Sequence, residues 1–231
     1  AMPIYPPVYA KPSYDPVKDL RPVALPASAT CVLAISSALP SEIRTLADYV
    51  RWLKAHDTGR TYASPAAGSL AQFLGYRFSQ AAGVPLTHVA YRGSAPAMQD
   101  LLGGQVPAYL GFVGDFLQYL GSGKVRLLAV AGERRSRFLK DVPTFAEQGF
   151  GTVAGVESYG VFAPASTPEA TVAGLAAATQ AASRDKALAG GLEQIGLEAT
   201  YLGSAEYAQL IAAERERWKP VVEASGFKAD E

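Results

Sequence analysis

The chain has 231 residues, 21 Lys plus Arg against 21 Asp plus Glu, 49% hydrophobic and 18% charged residues. That length can bury a sizeable core, as one large domain or two small ones, and the apolar fraction excludes a disordered chain. The charge balance leaves no overall field to draw in nucleic acid or an anionic membrane, and the single Cys31 excludes an internal disulfide.

Residues 1 to about 22 carry Pro3, Pro6, Pro7, Pro12, Pro16 and Pro22 and are predicted to form an extended arm. "PVALPASATCVLAISS" reads as strand, interrupted at Pro26, with Cys31 as a small buried residue in its apolar run. "SEIRTLADYVRWLKAH" places Ile43, Leu46, Ala47, Val50 and Leu53 at helical spacing, with Ser41 as the expected N-cap. Then come a short strand "GRTYAS", a helix "GSLAQFLGYRFSQAAG" closed by Gly83, a strand "LTHVAY", a helix "SAPAMQDLLGG", and strands "VPAYLGFV" and "VRLLAVAG" around a helical turn. Strands alternating with helices at this spacing predict right-handed βαβ units and a mainly parallel sheet. "ERRSRFLKDVPTFAEQGFG" reads as a polar irregular loop and "VESYGVFAP" as strand. Helices dominate the remainder: Thr167 is the expected cap with Pro168 at the first helical position, Ser204 opens the last helix, and Pro220 is expected to kink or end it.

"GSGKV" from Gly121 is not a phosphate loop, because Val125 follows Lys124 where Ser or Thr should bind magnesium, and the upstream glycine spacing is wrong. The two histidines, His56 and His88, fall on a helix tail and inside a strand; without a Cys-His cluster or an HExxH run they offer no metal site and no triad. No cofactor is expected.

Two loops carry chemistry. "YASPAAGS" ends a strand at Ser64 and leads into a helix near Gly68 and Ser69; "HVAYRGSAPAMQDLLGGQV" ends a strand at Tyr91 and runs through Arg92, Gly93 and Ser94 to a helix at Ala95 and Pro96. Each puts free backbone N–H groups and the positive end of a helix dipole at the carboxyl end of a parallel strand, where open α/β sheets bind ligands. Taken singly, either loop is equally well read as ordinary capping; together, and with Arg92 beside the second, they point to a carboxylate site. Asp115 in "FVGDF" has two readings: an acceptor for a hydroxyl or ammonium of the solute, or a cap on the next helix.

With these motifs in order, and with "YDPVKDLRPV", "GKVRLLAVAGERRSRFLKDVPTFAEQGF", "ESYGVFAPASTPEA" and "YAQLIAAERERWKPVVEASG", the chain resembles the substrate-binding proteins of tripartite tricarboxylate transporters, the Bug receptors, nearly end to end. The resemblance implies a type II periplasmic-binding-protein-like α/β fold: two lobes joined by two crossing strands, which trap a small carboxylate and deliver it to the membrane permease subunits of the transporter. It implies a periplasmic receptor and no enzyme. Carried over onto this sequence, the ligand-binding residues fall on Ser64, Gly68 and Ser69, on Tyr91, Arg92, Gly93, Ser94 and Ala95, and on Asp115 near the cleft. Ala66 stands where many members have glycine, and Gln72 where many have histidine.

The resemblance also implies that the family's first strand and Gly-Gly loop lie before this chain. Residues 31–150 are then expected as a complete lobe, with 1–30 and 151–231 as an incomplete one whose open sheet edge pairs in a homodimer. Two rivals remain: an enzyme acting on a carboxylate with Asp115 or His88 as base, and a remnant serving as an interaction module.

Overall fold

The computed structural model describes residues 14–228; Pro3, Pro6, Pro7 and Pro12 of the expected arm lie outside the described residues. The chain divides into two compact units, Thr30–Val156 and Ala1–Ala29 with Glu157–Glu231.

In the unit Thr30–Val156 the strands are the second half of β1 (Leu20–Ser36), β2 (Thr61–Ser64), β3 (Thr87–Ala90), β4 (Ala108–Phe112) and β5 (Val125–Val130), in the order β3-β2-β4-β1-β5. β2 is parallel to both β3 and β4, while β1 runs antiparallel to β4 and β5, with Val32 opposite Gly111 and Val130. The expected parallel sheet is therefore crossed by one antiparallel strand. Residues 29–36 of β1 are all buried, as a strand with neighbours on both sides and packing on both faces must be.

Against this sheet lie α1 (Leu46–Ala55), α2 (Leu70–Ala82), α3 (Ser94–Leu102) and the short α4 (Val113–Phe116). α1 starts later than expected. Thr45, not Ser41, is its N-cap: the Thr45 hydroxyl accepts from the Asp48 N–H at 3.1 Å, and an Asp48 carboxylate oxygen accepts the Thr45 N–H at 3.1 Å. That capping box satisfies two orphan donors at once, which Ser41 could not match. α2 ends at Gly83 with φ 62° and ψ 34°, as its glycine predicts. Gly75 is fixed by packing: a Cβ there would lie 2.1 Å from the Tyr62 ring, so the helix sits directly on β2.

The other unit contains the first half of β1, β6 (Val156–Pro164), α5 (Glu169–Ser183), α6 (Lys186–Gln194), β7 (Glu198–Gly203) and α7 (Ser204–Ser225). β6 and β7 both pair with β1. Pro26 does not break β1. The register with β7 shifts between Leu25 and Ala27 instead, an irregularity that accommodates a residue with no N–H to give the ladder. α5 begins at Glu169, with Pro168 in the N-cap position at ψ 142° and no side-chain cap, so Thr167 is not the cap. α7 runs through Pro220, which is exposed, and neither ends nor is interrupted there. Val23, Ala24, Ala163 and Val172 form a small buried cluster in this unit.

Candidate solute site

The two loops meet. Ser64 at the end of β2 lies in register with Ala90 at the end of β3, and the backbones that continue from them are laced together: Tyr91 N–H donates to the Ser64 carbonyl at 3.0 Å and Gly93 N–H to the Pro65 carbonyl at 2.8 Å. The starts of α2 and α3 are thereby held side by side at the carboxyl edge of one sheet.

Ser64 is fully buried and braces the first loop. Its hydroxyl lies 2.9 Å from the Ala66 carbonyl and 2.7 Å from His88 Nε2. Burial pulls the His88 pKa from its ordinary 6.5 to about 4, so the ring is neutral at neutral pH. Ser69 is the N-cap of α2; its hydroxyl accepts from Gln72 N–H at 3.3 Å and donates to the Ala66 carbonyl at 2.7 Å. Gly68, at φ 68°, takes a left-handed turn that glycine makes without strain, and its N–H donates to Gln72 Oε1 at 2.6 Å. Gln72 thus ties the loop from inside the helix it precedes.

In the second loop Gly93 is the N-cap of α3 at φ 107° and ψ 170°, a conformation open essentially to glycine alone. It aims the chain so that the Ser94 and Ala95 N–H groups begin the helix with no acceptor among the described residues, and Pro96 lacks an N–H at a position where none would be bonded. Tyr91 does not offer its hydroxyl: the phenol donates to Asp100 Oδ2 at 2.6 Å, and burial followed by the Asp100 carboxylate pushes its pKa up to about 12. Arg92 is exposed and makes no hydrogen bond or ion pair among the described residues.

Asp115 sits in the first turn of α4, which follows β4, the strand that pairs with β2. One of its oxygens accepts both the Phe112 N–H at 2.8 Å and the Tyr109 hydroxyl at 2.9 Å, which is the capping geometry. Burial, then the Asp115 charge, raises the pKa of the Tyr109 phenol. Of the nine residues singled out from the sequence, eight lie in the two loops that meet, and Asp115 lies apart from them in α4, hydrogen-bonded to Tyr109 and the Phe112 N–H.

His88, Gln72 and Tyr109 are the supporting residues that reading the sequence did not assign to the site. His88 was legible as a histidine one strand over from Ser64, but parallel pairing alone does not tell which strands are neighbours. Among the described residues no group of His, Cys, Asp and Glu could hold a metal ion, and no helix is long and apolar enough to cross a membrane.

A mainly parallel sheet crossed by one antiparallel strand, with helix starts gathered at its carboxyl edge, is the architecture of a periplasmic-binding-protein-like lobe, and solved structures bear this out. One described as a periplasmic transporter superposes with a TM-score of 0.88 at 30% identity, over 99% of this chain and 76% of its own. Rpa4515 of R. palustris with adipate gives 0.86 at 28% identity, over 96% and 73%. MatC of Rhodopseudomonas palustris with bound malate gives 0.80 at 29%, over 96% and 74%. The chain belongs to the tripartite tricarboxylate transporter family of receptors, whose family model matches residues 1–227. Among curated relatives, a UPF0065 protein of Cupriavidus necator is 32% identical over 98% of this chain and 68% of its own length, and the chain spans 63% of the next two relatives.

Proposed function

We propose that this chain is a periplasmic receptor for a small carboxylate solute, which it delivers to the permease subunits of a tripartite transporter. The observation that carries the reading is the pair of hydrogen bonds, Tyr91 to Ser64 and Gly93 to Pro65, that bring two helix starts to one place. Donors fixed before binding, with a free guanidinium beside them, favour a carboxylate without reorganisation. Arg92 supplies the charge, the N–H groups of Ser69, Ser94 and Ala95 supply direction, and Ser64, Gly68, Gln72, Tyr91 and Gly93 hold those donors in place. The adipate and malate complexes of the two R. palustris relatives fit the same ligand class.

The test is a thermal-shift screen of dicarboxylates, amino acids and aromatic acids, with product analysis on every stabilising compound. Saturable stabilisation by a carboxylate without turnover is expected. Turnover would replace the receptor with an enzyme, and silence across the carboxylates would leave an interaction module.

In the same reading, the unit Ala1–Ala29 with Glu157–Glu231 pairs with a second copy of the chain. Its β6 and β7 pair only with β1 among the described strands, and Tyr159, Leu175, Leu188 and Ile195 are exposed, Ile195 by 61%. Open strand edges beside exposed apolar side chains favour association. A dimer mass in light scattering at low micromolar concentration is expected; a monomer mass would overturn it.

A further inference from the structure

At the other end of the Thr30–Val156 sheet lies a cavity of about 460 Å³ lined by Ser37, Ser41, Arg44, Gly123, Arg126, Leu127 and Leu128. Because β1 is antiparallel to β4 and β5, its last residues pair with the first of those strands, Ile35 with Ala108 and Ser36 with Val125. The cavity therefore sits at the amino ends of the parallel strands, opposite the edge where the α2 and α3 starts meet.

Arg126 organises it. Its Nη1 donates to the Pro40 carbonyl at 2.5 Å, and its Nη2 donates to the Ser36 and Leu39 carbonyls at 3.1 and 2.8 Å. Three carbonyls of one turn thus fix the guanidinium, but carbonyls carry no net charge, and none of these bonds neutralises it. Its buried Nε has no partner. Glu42 and Arg44 act on it with opposite electrostatic sign, and neither forms an ion pair with it among the described residues. Arg44 and Lys124 also lack a side-chain partner among the described residues, and Lys124 follows directly on the cavity residue Gly123. The "GSGK" turn that fails as a phosphate loop folds with Gly121 and Gly123 at φ 73° and 71°, immediately before this lysine.

We propose that this pocket is a second anion site, which takes a compact oxyanion, phosphate or carboxylate. Arg44 and Arg126 supply two positive charges in the lining, Lys124 adds a third next to Gly123 in the chain, against the one of Glu42, and the Ser37 and Ser41 hydroxyls supply neutral donors. An uncompensated guanidinium already fixed by three carbonyls binds an anion without the ordering cost that a mobile cationic side chain carries.

The experiment is a site-resolved NMR titration of the whole chain with inorganic phosphate, phenyl phosphate and adipate in separate arms. Saturable amide shifts at Ser37, Gly123 and Leu127 are expected, and the arm with the lower half-saturation tells phosphate from carboxylate. In an Arg44→Ala, Lys124→Ala double variant, which leaves the Arg126 clip intact, half-saturation rises at least about tenfold through loss of charge-assisted bonds. Adipate shifts at Ser69, Ser94 and Ala95 stay as they were, so failure here is distinct from failure of the receptor reading. Absence of saturable shifts at Ser37 and Gly123 in every arm, or shifts unchanged in the double variant, would overturn the second site.

Discussion

Gly93→Ala perturbs the solute site through the backbone alone. At φ 107° and ψ 170° an alanine is strained, yet a Cβ there meets nothing within 4 Å, so no packing change is mixed into the result. If the conformation is kept, the strain costs about 1–3 kcal/mol. If the chain relaxes to negative φ, the 2.8 Å bond from Gly93 N–H to the Pro65 carbonyl is lost, a net of about 0.5–1.5 kcal/mol, and the Ser94 and Ala95 N–H groups turn away. Relaxation is the smaller penalty, so stability falls by about 1 kcal/mol while one charge-assisted bond to a carboxylate disappears, which weakens affinity roughly tenfold. Gly83→Ala is the control. Gly83 also has positive φ, 62°, and open space around its Cβ, but it closes the far end of α2. It should lose about 1–2 kcal/mol with no change in affinity. Urea midpoints at constant slope give the stabilities, and calorimetric titration with the stabilising acid gives the affinities. Equal affinity for both variants would refute the placement of the site at the α3 start.

His88 is held neutral by burial, with its pKa near 4 against an ordinary 6.5. The unfolded chain therefore binds the proton first as pH falls. The stability His88 contributes is full above about pH 6.5 and drains away as pH falls toward about 4, and His88→Gln should flatten that part of a stability-versus-pH curve. Gly75→Ala drives a methyl to 2.1 Å from the Tyr62 ring and should lower stability by about 1–3 kcal/mol in urea unfolding. Tyr91→Phe removes the 2.6 Å bond to Asp100 and should lower stability by about 1 kcal/mol while leaving carboxylate affinity unchanged in calorimetry, since the phenol already serves Asp100.

The elements of the Thr30–Val156 unit were legible because each has a strong local signal: Gly83 closes α2, the apolar run 29–36 marks a buried strand, and the serine and glycine loops announce helix starts. What escaped was set by pairing or by competition between caps. The antiparallel sense of β1 depends on its neighbours in space, which periodicity does not reveal. Thr45 beats Ser41 because it has Asp48 three residues on. β7 and α6 were not separated from the surrounding helices: every residue of β7 is half-buried, so it shows no alternation of polar and apolar side chains, and α6 buries none of its residues. At the candidate site the helix starts could be read from the sequence, but the bonds that brace them could not. The Ser64 to His88 and Tyr91 to Asp100 bonds join residues 24 and 9 positions apart, which only the register of β2 with β3 and the turn of α3 bring together.

The central claim is that two neighbouring helix starts and Arg92 grip one carboxylate. It is met most directly by titrating labelled protein with the acid that stabilises it and following the amides of Ser69, Ser94 and Ala95 together with the Arg92 guanidinium. All four are expected to shift along a single saturation curve, and Arg92→Ala to weaken that curve about tenfold or more. Saturable binding that moves only one of the two loops, or that Arg92→Ala leaves untouched, would contradict it.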